Sequence, residues 1–442
     1  MIKLNSCKTS DEFRSTIHKL IPGGAHTYSK GDDQFPTNAP AAIVRGKGAR
    51  VWDLDGKEFI DCSMGLTSVS IGHAHEPIVE AVYGAAQLGN NFQRPAAIEL
   101  DAAKLFLDTV QSGDMVKFAK NGSNVTTAAV KLARAFTGRN KVAIAREHNF
   151  FSFDDWFIAT TPCDAGIPNG VRHFTSFFSY NDYESVEKLL ADKKHDIACL
   201  IMEPVKFDPP KNNFLQKVAE LCKERGVVFI MDEMVSGFKW SLRGAHHYYG
   251  VTADLVTWGK GIANGFSACA ITGRADIMEL GGISRIGEDK LFLMSSTHGA
   301  ETVGLAAMMA TISEFKKYEM VSSNWKKGRF LQQRFQSIIK KYNLCDYLEW
   351  VGDPCLLLLI CRNANGLPDD AFRTLMMQEM IARGILFQSL IFPTWSHTDV
   401  ELQDLIIAFD GSCQVYSEAV ESGTIENFLI GPPAKPVFRK KI

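Results

Sequence analysis

The middle of the chain alternates short apolar runs with helical patterns, and this alternation is its most constraining feature. Apolar runs of this length bounded by turn residues are typical of buried parallel strands, and helices between such strands cover both faces of the sheet. The pattern therefore predicts an α/β fold with a mostly parallel sheet. The candidate strands are 115–120, 141–145, 197–205, 227–233, 255–259 and 267–273.

Two helices are predicted most clearly. Residues 124–138 follow a Ser/Asn cap, contain alanines and leucine, and end at Gly138. Residues 214–225 place Leu215, Val218 and Cys222 on one face and charged residues on the opposite face. We interpret the second helix as a surface cover of the sheet.

Both ends of the chain have different patterns. Residues 41–61 predict a β-meander, and residues 326–442 mix helical patterns with an isolated strand at 355–361. Because 442 residues exceed one ordinary core, we expect an N-terminal segment with part of a small domain (1–75), a large domain (76–325) and a C-terminal small domain (326–442).

Composition narrows the class of protein. Hydrophobic residues make up 46% and charged residues 22% of the chain, which is typical of soluble globular proteins. A formal charge of −2 gives no basic surface for nucleic acid or membrane, and the N-terminus has no apolar signal region. Ten cysteines occur without a CxxC pair, so neither a metal site nor a disulfide framework is indicated. We expect a cytoplasmic protein that acts on small molecules.

Two charged residues follow predicted strands. Asp232 ends VVFIMDE (227–233), and Lys260 lies in DLVTWGKGIANG (254–265). The carboxyl ends of parallel strands share one edge of the sheet, so both side chains can line one crevice. The alternatives are a solvated turn lysine, and a carboxylate that caps a helix or forms a salt bridge.

A third candidate element is the start of the helix at 120–129. Gly122 and Ser123 precede free backbone N–H groups that favour a phosphate, although an ordinary helix cap explains them equally well. Ser296 and Thr297, in the polar segment 295–302, are suited to further phosphate contacts.

An aromatic cluster lies between these elements. In the segment 146–158, Phe150 or Phe151 could stack on a flat ring, with core packing as the alternative. An amine that holds an aldehyde as an imine, an acid that keeps a ring nitrogen protonated and a phosphate site together predict pyridoxal phosphate (PLP) as the cofactor.

The sequence resembles the class III PLP-dependent aminotransferases, in the branch similar to glutamate-1-semialdehyde aminomutase. The resemblance is carried by IPGGAHTYSKG (21–31), VWDLDGKEFID (51–61), GHAHEP (72–77), and DEMVSGF (232–238) followed by 244–265. It implies a fold-type I enzyme with a seven-stranded sheet, and a homodimer with shared active sites.

The resemblance also implies roles for individual residues. Lys260 is the imine lysine and catalytic base, Asp232 is the catalytic partner of the pyridine nitrogen, and Thr297 reaches the phosphate of the neighbouring subunit. Three positions depart from the family pattern: Asn124 stands where a glutamate is common, Phe150 stands where a tyrosine stacks on the ring, and Val235 replaces a polar residue near the ring hydroxyl. The residues expected to bind the cofactor are Gly122, Ser123, Asn124, Phe150, Glu203, Asp232, Lys260, Ser296 and Thr297.

Several segments resemble a subgroup associated with amino-sugar formation for lipopolysaccharide or other surface polysaccharides. That resemblance implies L-glutamate as the amine donor and a keto or aldehyde sugar acid, such as 8-oxo-3-deoxy-octulosonate, as the acceptor. Lys30 and Arg94 are candidates to bind the substrate carboxylate, with solvent exposure as the alternative. An intramolecular aminomutase and a non-catalytic binding protein of the same fold remain the competing hypotheses.

Overall fold

The computed structural model describes residues 9–192 and 196–441 of the chain. These residues form two compact units. The first unit comprises the residues up to Leu66, Ile71–His75 and Ser322–Arg439, and the second comprises Thr67–Ser70, Glu76–Val321 and the residues from Lys440 onward.

The strands lie where apolar runs and β-branched residues are concentrated. In chain order they are β1 (Ile43–Lys47), β2 (Arg50–Asp53), β3 (Glu58–Asp61), β4 (Met115–Ala119), β5 (Lys141–Ala145), β6 (Thr175–Phe178), β7 (Ile197–Met202), β8 (Val228–Asp232), β9 (Leu255–Trp258), β10 (Cys269–Gly273), β11 (Leu348–Val351), β12 (Leu357–Cys361), β13 (Ile385–Leu386) and β14 (Leu390–Ile391).

Helices occupy most of the segments between the strands. They are α1 (Ser10–Leu20), α2 (Met64–Thr67), α3 (Glu76–Leu88), α4 (Ile98–Val110), α5 (Gly122–Thr137), α6 (Asp155–Ile158), α7 (Tyr183–Ala191), α8 (Phe214–Arg225), α9 (Ala245–Tyr248), α10 (Ala275–Met278), α11 (Thr302–Lys317), α12 (Met320–Lys341), α13 (Asp370–Ala382) and α14 (Asp399–Ser422). Among them, α2 is a short turn whose residues have positive φ angles. Short 3₁₀ helices are Pro22–Gly24, Tyr28–Lys30, Asp32–Gln34, Val171–Phe174, Lys260–Ala263, Glu279–Gly281 and Ile425–Phe428.

The second unit is built on a seven-stranded sheet with the order β4-β10-β9-β8-β7-β5-β6. The pairs from β9 to β6 are all parallel, whereas β10 runs antiparallel to both β4 and β9. The prediction of a mostly parallel α/β sheet is therefore confirmed. Helix α5 packs its buried face, which includes Val125, Ala129 and Leu132, into the same apolar core as Ile201 and Ile230 of the central strands.

The first unit contains two smaller sheets. Strands β1, β2 and β3 form the predicted antiparallel meander, and β13 adds to β3 in parallel. The prediction of an isolated strand at 355–361 is wrong, because β12 pairs with β11 on one side and β14 on the other. A core that includes Phe335, Phe409 and Tyr416 packs against this sheet.

Within residues 9–192 and 196–441, every helix is too short or too polar to cross a membrane.

Candidate active site

The sheet of the second unit brings the predicted catalytic residues to one edge. Strands β7, β8 and β9 are parallel neighbours, so their carboxyl ends lie side by side. Glu203 directly follows β7, Asp232 is the last residue of β8, and Lys260 follows β9 after Gly259. The two strands that carry Asp232 and Lys260 are hydrogen-bonded to each other, as a shared crevice requires.

Asp232 is a buried acid with neutral partners. Its side chain is 2% exposed, and its Oδ1 atom accepts hydrogen bonds from Thr257 Oγ1 at 2.8 Å and from the backbone N–H of Met234 at 3.0 Å. Burial, with a further contribution from the charge of Glu203, raises the pKa of Asp232 to about 7. An acid in this position gains a partner when a cationic ring nitrogen approaches it.

Lys260 begins a 3₁₀ helix in a conformation that is uncommon for a residue with a side chain. Its φ is 46°, in the left-handed region, and Ser70 Oγ fixes the turn by donating a 2.6 Å hydrogen bond to the carbonyl of Gly261. Burial and the nearby charge of Lys206 lower the pKa of Lys260. The shift favours the neutral amine, which is the form that can act as nucleophile and base.

Close packing beside Lys260 explains the glycine before it. A Cβ atom on Gly259 would lie 2.3 Å from Met234 Sδ and 2.6 Å from Cys269 Sγ, which is too short for any side chain. Met234 also fills the space beside Gly122, where a Cβ atom would lie 3.0 Å from its Sδ. The side chain of Met234 therefore joins the lysine turn to the start of α5.

Glu203 is the second buried acid at this edge, with 2% of its surface exposed. Its Oε1 atom accepts a 3.2 Å hydrogen bond from Lys206 Nζ, while Oε2 is buried and has no hydrogen-bond partner among the described residues. Burial by itself would raise the pKa of Glu203, but the charges of Lys206 and Lys260 outweigh it and lower the pKa. The backbone N–H of Glu203 donates to Nδ1 of the buried His148 at 3.1 Å.

Helix α5 starts beside these strand ends and has the geometry of an anion site. Asn121 caps the helix, since its Oδ1 accepts the N–H of Asn124 at 3.0 Å, and its Nδ2 donates to Asn124 Oδ1 at 2.8 Å. The N–H groups of Gly122 and Ser123, in the first turn, have no acceptor within the helix. They can therefore bind a phosphate, whereas the Asn124 side chain is held by the cap.

The loop after β5 is attached to this helix start. Ser123 Oγ accepts the N–H of Phe153 at 3.0 Å, and Thr126 Oγ1 donates to the carbonyl of Phe151 at 2.8 Å. Phe151 is 2% exposed and packs in the core of the unit, but Phe150 is 47% exposed and has an edge contact with Phe157. Of the two aromatic candidates, only Phe150 has a ring available to a ligand. Its stacking role stays a prediction.

The second predicted phosphate segment is solvent-exposed. Ser296 and Thr297 lie in an irregular stretch that precedes α11. Ser296 lines a cavity of about 760 Å³ that is also lined by Asn124 and Phe118. Glu301 anchors the end of this stretch through an ion pair with Lys120 and a 3.1 Å contact of its Oε1 atom with His298 Nδ1. The exposed position is compatible with contacts to another subunit.

The two predicted substrate-binding cations are both on the surface. Lys30 closes a 3₁₀ helix of the first unit, and Arg94 lies in an irregular segment between α3 and α4 of the second unit. Neither has an ion pair in the part of the chain that the structure describes, so their role in substrate binding stays a prediction.

Sequence reasoning missed two residues of this site. Thr257 lies opposite Asp232 in the strand register and donates a hydrogen bond to it. Its signal was a single hydroxyl within the apolar run LVTW. Lys206 pairs with Glu203 and, like Lys260, lies just after the end of a strand. Its place after a predicted strand could have identified Lys206 from the sequence.

The residues present fit PLP. Asp232, a buried acid that has no cationic hydrogen-bond partner within residues 9–192 and 196–441, matches the ring nitrogen. A partly buried amine with a lowered pKa matches the aldehyde, and a capped helix start matches the phosphate. Among the described residues, no group of three or more His, Cys, Asp or Glu side chains is placed to hold a metal ion.

Comparison with known proteins identifies the family. Residues 31–355 match the family model described as aminotransferase class-III. The chain is 30% identical over 362 residues to a glutamate-1-semialdehyde 2,1-aminomutase of Sulfurihydrogenibium azorense, which covers 79% of this chain and 83% of that protein.

Solved structures agree with this relationship at the level of the fold. The FumI protein of Sphingopyxis sp. MTA144, solved with PLP, superposes with a TM-score of 0.86 at 22% identity and covers 93% of this chain and 97% of its own. A glutamate-1-semialdehyde aminomutase from Pseudomonas aeruginosa PAO1 has a TM-score of 0.81 at 20% identity, with 92% and 94% covered. By this family match and this fold, the chain belongs to the class-III aminotransferases and is a PLP-dependent enzyme.

Proposed function

We propose that the protein transfers the amino group of L-glutamate to a keto or aldehyde sugar acid. The acceptor is 8-oxo-3-deoxy-octulosonate, the product is 8-amino-3,8-dideoxy-D-manno-octulosonate, and the product serves lipopolysaccharide or other surface polysaccharide synthesis. Family membership supports the amine transfer. The sugar acceptor is supported by the resemblance of segments such as GAHTYSKGDDQFP (24–36) to enzymes of amino-sugar formation.

The observation that carries the catalytic part is the adjacency of Asp232 and Lys260 on paired strands. When bound, PLP supplies an aldehyde that accepts the amino group and a ring that withdraws electrons from it. Asp232 holds the proton of the ring nitrogen in place by its negative charge. Lys260 Nζ takes the proton from the substrate carbon that carries the amino group. It then gives this proton to the cofactor carbon that receives the amino group.

The phosphate and the ring face have their own residues in this proposal. The N–H groups of Gly122 and Ser123 and the hydroxyl of Ser123 bind the phosphate, and Phe150 covers one face of the ring. Ser296 and Thr297 bind the phosphate of the neighbouring subunit in a homodimer with shared active sites. Their exposure in the isolated chain supports this part of the proposal.

A screen of acceptors tests the substrate. The enzyme is first converted to its amine-carrying form with L-glutamate, then mixed with single keto or aldehyde acids, and the return of the original absorbance spectrum is followed. Rapid return with 8-oxo-3-deoxy-octulosonate, and slow return with non-sugar keto acids, is the expected result. Equal rates with all acids would overturn the sugar-acid assignment.

Replacement of the lysine tests the catalytic part. Lys260→Ala is expected to lower glutamate-dependent turnover by about 10²- to 10⁴-fold or more, because it removes the proton-transfer group. Lys188→Ala on the surface helix α7 is the control and should retain wild-type turnover. Wild-type turnover of the Lys260→Ala variant would contradict the assignment.

The second candidate function is an intramolecular aminomutase, which is favoured by the names of the curated relatives. Such an enzyme needs one substrate and no amine donor. Turnover of glutamate-1-semialdehyde alone, without glutamate, would support this candidate. The departures at Asn124 and Phe150 from the family pattern argue against it.

A further inference from the structure

Lys206 is a second lysine at the edge of the sheet that carries the catalytic residues. It lies four residues beyond the end of β7, and β7 is the direct neighbour of β8, which ends at Asp232. In open α/β sheets the substrate binds outside the carboxyl ends of the strands. Lys206 is therefore on the side of the sheet where a substrate of this enzyme has to bind.

The ammonium group of Lys206 is fixed in position by a buried acid. Its Nζ atom lies 3.2 Å from Glu203 Oε1, and Glu203 is almost completely buried. Lys206 itself is 24% exposed, and no second hydrogen bond or ion pair of its side chain occurs among residues 9–192 and 196–441. An ammonium has three N–H donors, so two of them remain for a ligand. A donor held in place before binding loses little entropy when an anion arrives.

The charges around Lys206 favour an anion. After burial, the positive charge of Lys206 is the largest cause of the lowered pKa of Lys260, so Lys206 acts electrostatically on the catalytic amine. The charge of Lys206 is also the largest charge effect on Glu203, whose pKa it lowers, and Glu203 uses only its Oε1 atom to bind Lys206. A carboxylate next to Lys206 would be attracted by its charge and accept hydrogen bonds from its remaining donors.

We propose that Lys206, positioned by Glu203, binds a carboxylate of the acidic substrate. An ammonium binds a carboxylate as a compact point charge, without the planar fork of an arginine. This inference rests on the proposed acidic substrates, glutamate and a sugar acid. The competing explanation is that Lys206 only neutralises Glu203, and the two explanations differ in their effect on ligand binding.

Binding of glutarate to the PLP-loaded enzyme tests the proposal. Glutarate has the two carboxylates of glutamate and no amino group, so its dissociation constant can be measured by calorimetry without turnover. Lys206→Gln, whose amide can still donate to Glu203, is expected to weaken glutarate binding by about 10-fold, the effect of losing one partly buried charge contact. Lys206→Arg keeps the charge but not the compact geometry, and its glutarate affinity is expected to lie between those of the wild type and Lys206→Gln.

Two controls separate binding from structure. Lys211→Gln removes the same charge from the same loop. Because Lys211 is 61% exposed and paired with Asp208, this variant should bind glutarate like the wild type. Glutaramide, the neutral diamide, should bind equally to the wild type and to Lys206→Gln. Unchanged glutarate affinity in Lys206→Gln overturns the proposal, and an equal loss for glutaramide assigns Lys206 a structural role instead.

A measurement on the wild type covers the case in which Lys206→Gln fails to fold. Trace acetylation of the loaded enzyme with acetic anhydride, followed by mass spectrometry of peptides, reports the accessibility of each lysine. Glutarate is expected to protect Lys206 and to leave Lys211 unchanged. Equal acetylation of Lys206 with and without saturating glutarate overturns the proposal.

Failure of the proposed function has a different signature. If glutamate and sugar acids are not substrates, the wild type itself shows no amine transfer between them, whatever the result for Lys206. If they are substrates and Lys206 has the proposed role, Lys206→Gln raises the KM for glutamate with a much smaller change in kcat.

Discussion

At the scale of single residues, the active site brings two buried acids and two lysines together. Asp232 and Glu203 end neighbouring strands, and the charge of Glu203 contributes to the raised pKa of Asp232. Two ionised acids in one buried site are costly unless cations neutralise them. Lys206 pairs with Glu203 directly, whereas the hydrogen-bond donors of Asp232 are neutral. Asp232 is therefore the acid that a cationic ring stabilises most.

The protonation of Asp232 predicts a pH effect on the cofactor-free enzyme. Its pKa rises from 3.8 to about 7 on folding, so the folded state holds the proton more tightly than the unfolded state. The contribution of Asp232 to the free energy of unfolding is fully present below a pH of about 4. It is lost as the pH rises through about 7, where the folded-state carboxyl ionises. Asp232→Asn, which is neutral at every pH, should be more stable than the wild type at pH 8 by up to about 4 kcal/mol.

Thermal unfolding of both cofactor-free proteins between pH 5 and pH 8 measures this effect. The advantage of Asp232→Asn should shrink as the pH falls, because the wild-type acid becomes protonated. Asp208→Asn, at an acid that is 57% exposed, is the control and should show no such trend. Parallel pH profiles for the wild type and Asp232→Asn would contradict the raised pKa.

The residues that sequence reasoning found were those with an abrupt change in local pattern. Asp232 and Lys260 each end an apolar run, so periodicity alone marked their positions at the sheet edge. Thr257 was missed because its importance depends on its cross-strand partner Asp232, and register between strands is not visible in one sequence. Lys206 was missed although its partner Glu203 lies only three residues before it, because the burial of Glu203 is a property of the folded packing. The buried oxygen of Glu203 without a partner is equally a property of the folded packing.

At the scale of secondary structure, the start of α5 combines a stability function with a binding function. The Asn121 cap satisfies the N–H of Asn124 and leaves the N–H groups of Gly122 and Ser123 for a ligand. The loop after β5 is attached to the same turn through Ser123 and Thr126. A change in the cap should therefore affect both helix stability and the cofactor phosphate.

Replacement of the cap separates these two effects. Asn121→Ala is expected to cost about 1 kcal/mol of stability and to weaken PLP binding several-fold, because the first turn loses its order. Asp182→Ala removes a cap of the same kind, since Asp182 Oδ1 accepts the N–H of Ser185 at the start of α7 at 3.1 Å. It should cost similar stability and leave PLP affinity unchanged. Chemical unfolding and PLP titration of the apoenzyme measure both, and equal PLP affinity in all three proteins would exclude the phosphate role of this turn.

The arrangement of elements was predictable only where local pattern determines it. Helix α5 begins and ends within two residues of its predicted bounds, because Asn121 and Gly138 are strong caps. The prediction of a strand at 355–361 is correct, but the prediction that it is isolated is wrong. Its partners β11 and β14 were missed because both are short, and β14 has only two residues. The antiparallel direction of β10 is a property of chain topology and leaves no local signal.

At the scale of the whole molecule, the surface around Ser296 and Thr297 bears on the proposed homodimer. The irregular stretch with Ser296 and Thr297 is exposed. At its end, Glu301 forms an ion pair with Lys120, which directly precedes the cap residue Asn121. Exposed apolar side chains lie in the same unit, among them Phe92, Leu100, Ile286 and Phe292. A homodimer would bury apolar side chains of this kind if they lie in its interface. These features support the proposed homodimer with shared active sites.

Hybrid dimers test the shared site directly. If Thr297 of one subunit completes the site that holds Lys260 of the other, Lys260→Ala and Thr297→Glu subunits are each inactive as homodimers. In Thr297→Glu the new carboxylate repels the phosphate. A hybrid of the two variants has one site with both defects and one site with neither. Random reassociation of equal amounts forms hybrids as half of all dimers, so about one quarter of the wild-type activity should return.

If the site is not shared between chains, the activity expected of the hybrid dimers is different. If Thr297 acts within its own chain, every site in the hybrid contains one defect, and mixing restores no activity. Light scattering during gel filtration is used before mixing to measure whether both variants are dimers. Mass spectrometry of the mixture is used to measure whether hybrids form. Lys260→Ala mixed with Lys260→Ala of a different tag is the control for the exchange procedure. Activity that stays at the level of the separate variants, despite proven hybrids, would show that each chain carries a complete active site of its own.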